Sequence, residues 1–110
     1  MKQATDPLSR VFSALADPTR RGILDRLSQK ESTVGELTTP FGMSQPAISQ
    51  HLRVLEDAGL ITRTRQAQYR ICAARPEGLS EADDWVSRHR EIWTGRLDRL
   101  EETITGLTTD

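Results

Sequence analysis

The residues best suited to reading a base sequence lie in one stretch between Ser44 and Asp57. At about 100° per residue, Ile48, Leu52 and Leu55 share one face of a helix, and polar residues occupy the other. Gln can pair bidentately with adenine, Arg with guanine, and Ser with either. An ordinary solvated helix shows the same pattern, so the interpretation depends on the neighbouring elements. The outward residues are Pro46, Ser49, Gln50, Arg53 and Asp57.

Both ends of this helix are marked in the sequence. Ser44 can serve as the N-cap, because its hydroxyl can accept a hydrogen bond from an unpaired amide of the first turn. Pro46 fits the same turn, where no N–H partner is needed, and Gly59 is the expected C-terminal stop. We also count Ser44 and Pro46 among the candidate DNA contacts, together with Ser49, Gln50 and Arg53 of the outer face.

A second, shorter helix is predicted just before this one. Thr33 to Glu36 has the form of a capping box, with Val34 and Leu37 as the inward residues. The segment 39–43 is expected to break this helix, because Pro40 lacks an N–H and Gly42 permits a positive φ. Helix, glycine-containing turn and helix form the helix-turn-helix arrangement, which places its second helix in the major groove of DNA.

A β-hairpin is predicted after Gly59, with strands at residues 60–65 and 68–73 and Gln66-Ala67 between them. Arg63 and Arg65 share a face by the two-residue period, and Arg70 lies on the partner strand. These cations could reach phosphates or the minor groove, or they could be edge-strand charges that discourage aggregation. Beside a recognition helix, contact with DNA is the favoured interpretation, and the hairpin is then a wing.

Size and charge agree with a small DNA-binding domain. The chain has 110 residues, enough for one domain, and a hydrophobic content of 35%, which is low for a monomer and favours an oligomer. The net charge of -1 is unevenly spread. Residues 1–76 hold eleven Lys and Arg against seven Asp and Glu, whereas residues 77–110 hold four against nine. The N-terminal part can therefore face a polyanion.

The sequence also bears on location and redox chemistry. It contains no apolar run of about 20 residues, and its first ten residues lack a hydrophobic signal segment, so a cytoplasmic protein without membrane contact is expected. Cys72 is the single cysteine and excludes an intramolecular disulfide. A buried small hydrophobe is the favoured interpretation of Cys72, and a redox sensor is the alternative.

Two more helices are predicted at the start of the chain. Asp6-Pro7 and Asp17-Pro18 each combine a capping residue with a proline in the first turn. The first helix, near residues 6–16, carries its apolar stripe at Leu8, Val11, Phe12 and Leu15. The second carries its stripe at Ile23, Leu24 and Leu27.

One long helix is predicted at the end of the chain, near residues 79–107. Its apolar residues recur every three or four positions, in a stripe too long for so small a domain to cover. We expect this helix and the first one to form a homodimer interface. The alternative is a ligand pocket lined by Trp85 and Trp93. The expected interface residues are Leu8, Val11, Phe12, Leu15, Trp85, Trp93, Leu97, Leu100 and Ile104.

Three segments in order carry a family resemblance: residues 14–24 (ALADPTRRGIL), 44–52 (SQPAISQHL) and 55–61 (LEDAGLI). They resemble the ArsR/SmtB family of bacterial winged-helix repressors, over nearly the whole chain. The resemblance implies a dimeric repressor that binds a palindromic operator near its own promoter and is released by an inducer. It also implies that Gln45, Ser49, Gln50 and His51 read DNA, with wing arginines on the backbone.

The chain departs from the metal-sensing members of that family. The segment 34–39 has no thiol, and the last helix has a single histidine, His89. A transition-metal site needs three or four converging ligands, so we expect no metal, no cofactor and a place in the non-metal-sensing branch with an unknown inducer. The predicted wing tip also lacks the usual glycine.

Two other classes of function fit the sequence less well than DNA binding. The sequence has no glycine-rich phosphate loop, no nucleophile beside a plausible base, and only two histidines, so an enzyme is not expected. The stronger alternative is a winged-helix module for protein–protein interaction that does not bind DNA. The predicted fold is a single domain over residues 1–110, mostly α with a small β-hairpin wing, in the order α-α-α-α-β-β-α.

Overall fold

The computed structural model describes residues 6–108, and within them the predicted winged helix-turn-helix is confirmed. These residues form five α-helices and three short strands in the order α1-α2-β1-α3-α4-β2-β3-α5, and a 3₁₀ turn, Pro76–Leu79, precedes the last helix. The helices are α1 (Pro7–Leu15), α2 (Pro18–Gln29), α3 (Val34–Phe41), α4 (Gln45–Asp57) and α5 (Ser80–Thr108). The strands are β1 (Ser32–Thr33), β2 (Ile61–Gln66) and β3 (Tyr69–Ala74).

Side-chain caps begin the first three helices, as the sequence predicted. A carboxylate oxygen of Asp6 accepts from the Ser9 amide at 2.9 Å, and one of Asp17 accepts from the Thr19 amide at 2.7 Å. At α3 the capping box is complete: the Thr33 hydroxyl accepts from the Glu36 amide at 3.1 Å. The Glu36 carboxylate in turn accepts from the Thr33 amide at 2.8 Å. These caps satisfy amides that have no partner inside the helix.

The segment 39–43 ends α3, as predicted, and the helix reaches Phe41 with Pro40 inside its last turn. Because Pro40 lacks an N–H, α3 loses one hydrogen bond, the bond to the carbonyl four residues earlier. Gly42 supplies the termination, with a φ of 60°. Its amide donates to Thr39 O at 3.2 Å, and the Met43 amide donates to Thr38 O at 3.3 Å.

Strand β1 was not predicted from the sequence. It pairs antiparallel with β3 through Ser32 opposite Cys72 and Thr33 opposite Ile71, and the sheet order is β1-β3-β2. Two residues are too few to show an alternating pattern, and Thr33 also caps α3. The pairing anchors the wing beside the start of the helix-turn-helix.

The predicted wing tip is wrong by one residue. Gln66 pairs with Tyr69, so the two-residue turn is Ala67-Gln68 rather than Gln66-Ala67. Ala67 has a φ of 56°, a conformation that costs a non-glycine residue roughly 1–2 kcal/mol. The hairpin closes without the glycine that such turns usually contain.

The chain divides into two compact units, Met1–Ser80 and Glu81–Asp110. The first contains helices α1 to α4 and the sheet, and its core draws one or more buried side chains from each of them. These residues are Val11, Ala14, Ile23, Leu27, Val34, Leu37, Ile48, Leu52, Leu55, Leu60, Ile61 and Cys72, with Ser32 as a buried polar residue.

The second unit is α5 without its first residue, a helix of 29 residues in all. Several large apolar side chains on it are exposed: Ile92, Trp93, Leu97, Leu100, Ile104 and Leu107. Across residues 6–108, no helix combines the length and apolar character needed to cross a membrane.

Candidate nucleic-acid interface

Helix α4 has one buried and one solvent-exposed face, as its sequence predicted. Ile48, Leu52 and Leu55 are fully buried in the first unit. Ser44 caps the helix by accepting from the Ala47 amide at 3.3 Å. The outer face is built from polar and small residues; Ser44, Gln45, Pro46, Gln50, Arg53 and Asp57 are exposed, and Ser49 is half-buried.

The end of α4 fixes the direction in which the wing begins. Gly59 has a φ of 77°, its amide donates to Glu56 O at 2.9 Å, and the Leu60 amide donates to Leu55 O at 3.0 Å. This pair of bonds is a Schellman motif, which requires a left-handed residue and therefore favours glycine. Strand β2 thus leaves α4 at a fixed angle, two residues after the turn.

Arg65 and Arg70 form the exposed cationic part of the wing. They stand opposite each other in the β2–β3 register, and both side chains are exposed. Two guanidinium groups on one pair of positions repel each other unless an anion lies between or beside them. The arrangement is well suited to phosphate, with which arginine forms bidentate hydrogen bonds.

Arg63 was predicted to contact DNA, but it forms an ion pair within the chain. Its Nη2 and Nε donate to the same Glu56 carboxylate oxygen at 3.0 and 3.2 Å, and the side chain is only 15% exposed. Arg63 therefore joins β2 to the end of α4. The two-residue period correctly placed it in line with Arg65, but it could not reveal a carboxylate seven residues earlier.

A cleft of about 620 Å³ separates the start of α4 from the wing. Four of the predicted DNA contacts line it: Gln45, Pro46 and Ser49 on α4 and Arg70 on β3. The beginning of α3 completes this part of the lining. Tyr69, which the sequence analysis overlooked, also lines this cleft and is 55% exposed. An aromatic residue directly after a wing tip was the signal available in the sequence. The lining residues are Thr33, Val34, Gly35, Gln45, Pro46, Ser49, Gln68, Tyr69 and Arg70.

His51, the remaining predicted contact on α4, is half-buried at the edge of the outer face. Its Nδ1 lies 3.3 Å from Nη1 of Arg20 on α2. The Asp17 carboxylate lies 3.5 Å from the same Arg20 nitrogen. Partial burial alone would raise the pKa of Asp17, but hydrogen bonds from the Thr19 and Arg20 amides and the Arg20 charge lower it. Asp17 thus stays ionised beside Arg20.

Cys72 is fully buried in β3, and burial raises the pKa of its thiol. A thiol with a raised pKa is a poor nucleophile, so the geometry favours the small hydrophobe over the redox sensor.

His89 stacks on Trp85 with ring centroids 3.9 Å apart, and its Nδ1 lies 2.8 Å from Trp85 O. Over residues 6–108, no three His, Cys, Asp or Glu side chains converge as metal ligands would.

The residues expected at a dimer interface fall into two groups. Most of them reach the surface: Phe12, Trp93, Leu97, Leu100 and Ile104 are exposed, and Leu8, Leu15 and Trp85 are half-buried. Val11 is the exception, at 3% exposure. Because Val11 is already covered within its own chain, it belongs to the core and can add almost no area to an interface.

Comparison with known proteins gives the class and the family. The profile of the family described as "Bacterial regulatory protein, arsR family" matches residues 17–63. The chain is 35% identical to the transcriptional repressor SdpR of Bacillus subtilis over 79 residues, which is 72% of this chain and 88% of that protein. It is 42% identical to the HTH-type transcriptional regulator Rv2034 of Mycobacterium tuberculosis over 95 residues, 86% of each chain.

Solved structures give the same result. The ArsR family transcriptional regulator RHA00566 superposes with a TM-score of 0.76 at 40% identity, covering 86% of this chain and 97% of that one. The homodimeric winged helix-turn-helix DNA-binding domain Mb0332 of Mycobacterium bovis gives a TM-score of 0.63 at 26% identity, covering 83% and 91%.

Fold, site and relatives together define a winged helix-turn-helix DNA-binding transcriptional regulator. The chain belongs to the arsR family of bacterial regulatory proteins, as its three sequence segments indicated. Family membership also confirms that the chain is a regulator rather than an enzyme.

Proposed function

We propose that this regulator is a homodimeric repressor that binds a palindromic operator of its own or a neighbouring operon in the cytoplasm. The observation that carries the proposal is that the polar face of α4 and the exposed wing arginine Arg70 border one cleft. SdpR is named a repressor, and Mb0332 is described as a homodimer, which supports the same assembly here. Each half of a palindrome would then meet one recognition helix.

We assign different roles to the two sides of the cleft. Gln45, Ser49, Gln50 and Arg53 on α4 contact base edges, because they are the side chains of the outer face that can form base-specific hydrogen bonds. Arg65 and Arg70 contact phosphates, which positions the helix without reading sequence. Tyr69, which lines the same cleft and is exposed, packs on the sugar–phosphate strand that passes from the helix to the wing. Ser44 and Pro46 allow that strand to approach the start of α4 closely.

The dimer in this proposal is formed by α5, with Leu8, Phe12 and Leu15 of α1 contributing. Leu97 is 65% exposed and Leu100 is 56% exposed, and they belong to a series of exposed apolar residues on α5, a pattern that marks an interaction surface. We take the partner to be a second copy of this chain, because a dimer also explains how a full operator is recognised. One winged helix reads few base pairs, and two held at a fixed spacing read a full operator.

The inducer in this proposal is not a metal ion. Cys72 is buried and the two histidines are engaged with Arg20 and Trp85, so these residues offer no ready cluster of ligands. Release of DNA would then follow from another signal that alters the dimer or the recognition helix.

The test is a titration of the purified protein against DNA from upstream of its own gene, followed by fluorescence anisotropy at several salt concentrations. A scrambled duplex of the same composition is the matched control. We expect the upstream DNA to bind at least about 10³-fold more tightly than the scrambled duplex, with affinity falling steeply as salt rises. Equal affinity for both would contradict sequence-specific binding. Absence of binding even at low salt would favour the alternative, a protein–protein interaction module.

A further inference from the structure

Arg20 connects three helices through one guanidinium group. Its Nε donates to Ala14 O at 2.8 Å and its Nη2 to Ser13 O at 3.1 Å, which satisfies carbonyls at the end of α1. Its Nη1 lies 3.5 Å from the Asp17 carboxylate and 3.3 Å from His51 Nδ1 on α4. All three nitrogens are engaged, so the planar group is held in one orientation.

This geometry determines the protonation pattern of the His51 ring. A guanidinium group can only donate hydrogen bonds, so His51 Nδ1 must be the acceptor. In a neutral imidazole with an unprotonated Nδ1, the proton is on Nε2. The Nε2–H then lies on the edge of the ring turned away from Arg20 and is available to donate to another group.

We propose that Arg20 is a positioning residue for DNA binding, which fixes His51 so that its Nε2–H donates to a phosphate at the edge of the recognition helix. The inference rests on the proposed function and adds to it a residue on α2, outside the helix-turn-helix. His51 is half-buried at the flank of α4. A helix that lies in a DNA groove would turn its outer face toward the bases and its flanks toward the phosphates. Asp17 holds Arg20 in turn, so α1, α2 and α4 share one set of polar contacts.

Arg21 provides a matched control. It is also on α2, and its Nη1 donates to Leu15 O at 2.7 Å at the end of α1, but no contact joins it to His51. If Arg20 acted only by stabilising the end of α1, replacing either arginine would have a similar effect. If it acts through His51, only Arg20 will affect DNA binding in a way that depends on His51.

The first experiment is a double-mutant cycle on operator affinity, with Arg20→Gln, His51→Ala, the double variant and Arg21→Gln. We expect Arg20→Gln and His51→Ala each to weaken binding by the dimer about 30-fold, one lost hydrogen bond in each of two half-sites. In the His51→Ala background, Arg20→Gln should have almost no further effect. Arg21→Gln should stay within about threefold of the wild type. Additive losses for Arg20 and His51 would overturn the inference.

The second experiment does not depend on DNA and needs no variant that must fold. Nitrogen-15 NMR of the ring of His51 in the free protein, at about pH 8.5 where histidine is ordinarily neutral, reports which nitrogen is protonated. We expect an unprotonated Nδ1 and a protonated Nε2. A protonated Nδ1 would overturn the inference, because Arg20 could not donate to it. Wild-type protein without operator affinity would overturn the proposed function itself, whereas additive mutations in a protein that does bind overturn the role of Arg20 alone.

Discussion

Replacing Leu97 and Leu100 by Glu tests the role of α5 in the dimer. The two side chains are 65% and 56% exposed, so a partner has that fraction of each left to cover. Full burial of a leucine is worth about 2 kcal/mol, which gives each of these residues a little over 1 kcal/mol. With two residues on each of two chains, the loss is about 5 kcal/mol. The dimer should therefore dissociate about 10³- to 10⁴-fold more readily.

The assay is sedimentation velocity over a concentration series, with operator titration of the same samples. We expect Leu97→Glu with Leu100→Glu to be monomeric at concentrations where the wild type is dimeric, and to have lost operator affinity although α4 is unchanged. Glu91→Lys with Glu102→Lys is the control, because these exposed residues lie on the opposite side of α5 and the change of charge is larger. The control should remain a dimer that binds the operator.

Two outcomes would refute this reasoning. If the double leucine variant remains a dimer with unchanged dissociation, the interface is elsewhere, and Phe12 and Leu15 of α1 are the next residues to test. If it is a monomer that binds the operator with full affinity, dimerisation is not a condition of function. Loss of dimer in the Glu91 and Glu102 control as well would show that charge on α5, rather than burial of the leucines, sets the association.

Four further predictions concern the interface and the stability of the fold. Gln50→Ala should weaken operator binding by about 1–3 kcal/mol and leave binding to random DNA unchanged; an equal loss on both would mean that Gln50 does not read a base. Arg65→Ala should weaken binding to every duplex and reduce the salt slope by about one unit, and an unchanged slope would place Arg65 off the phosphates. The pKa of Asp17 is lowered from 3.8, so its contribution to stability is present above that pH and is lost as pH falls through the lower folded value. In urea unfolding, the free energy of unfolding should therefore fall less between pH 5 and more acidic pH in Asp17→Asn than in the wild type. An equal fall in both proteins would count against this contribution of Asp17. Low micromolar zinc or arsenite should not release the operator; stoichiometric zinc binding with loss of DNA affinity would contradict the non-metal proposal.

Local signals in the sequence predicted most of the elements because their physics is local. A capping oxygen and the amide it serves are two or three residues apart, as at Asp17 and Thr33, and the apolar stripe of α4 repeats within two turns. The break after α3 was also predictable, although Pro40 removes only its own hydrogen bond and Gly42, two residues later, is the residue that ends the helix. The tip of the wing was misplaced by one residue because neither Gln66, Ala67 nor Gln68 has a strong turn preference.

Contacts between distant residues could not be predicted in this way. His51 is 31 positions from Arg20, and β1 pairs with a strand about 40 positions later, so neither interaction leaves a pattern within one window of sequence. The residue types were visible, but each of them had an ordinary alternative. Arg63 shows the consequence: by spacing it is the equal of Arg65, and only the tertiary position of Glu56 separates a structural arginine from one that faces solvent.

The division between a structural arginine and exposed arginines explains how a small wing can hold a defined position against DNA. The wing joins α4 through the Schellman turn at Gly59 and the Arg63–Glu56 ion pair, and Arg75 donates from its amide to Leu60 O at 2.8 Å just beyond β3. Its other side is anchored by β1, whose Thr33 also caps α3. The wing is thus joined to α4 through β2 and to the start of α3 through β1. Because these ties leave Arg65 and Arg70 exposed, the same hairpin has one arginine that fixes geometry and two whose charge is available to an anion.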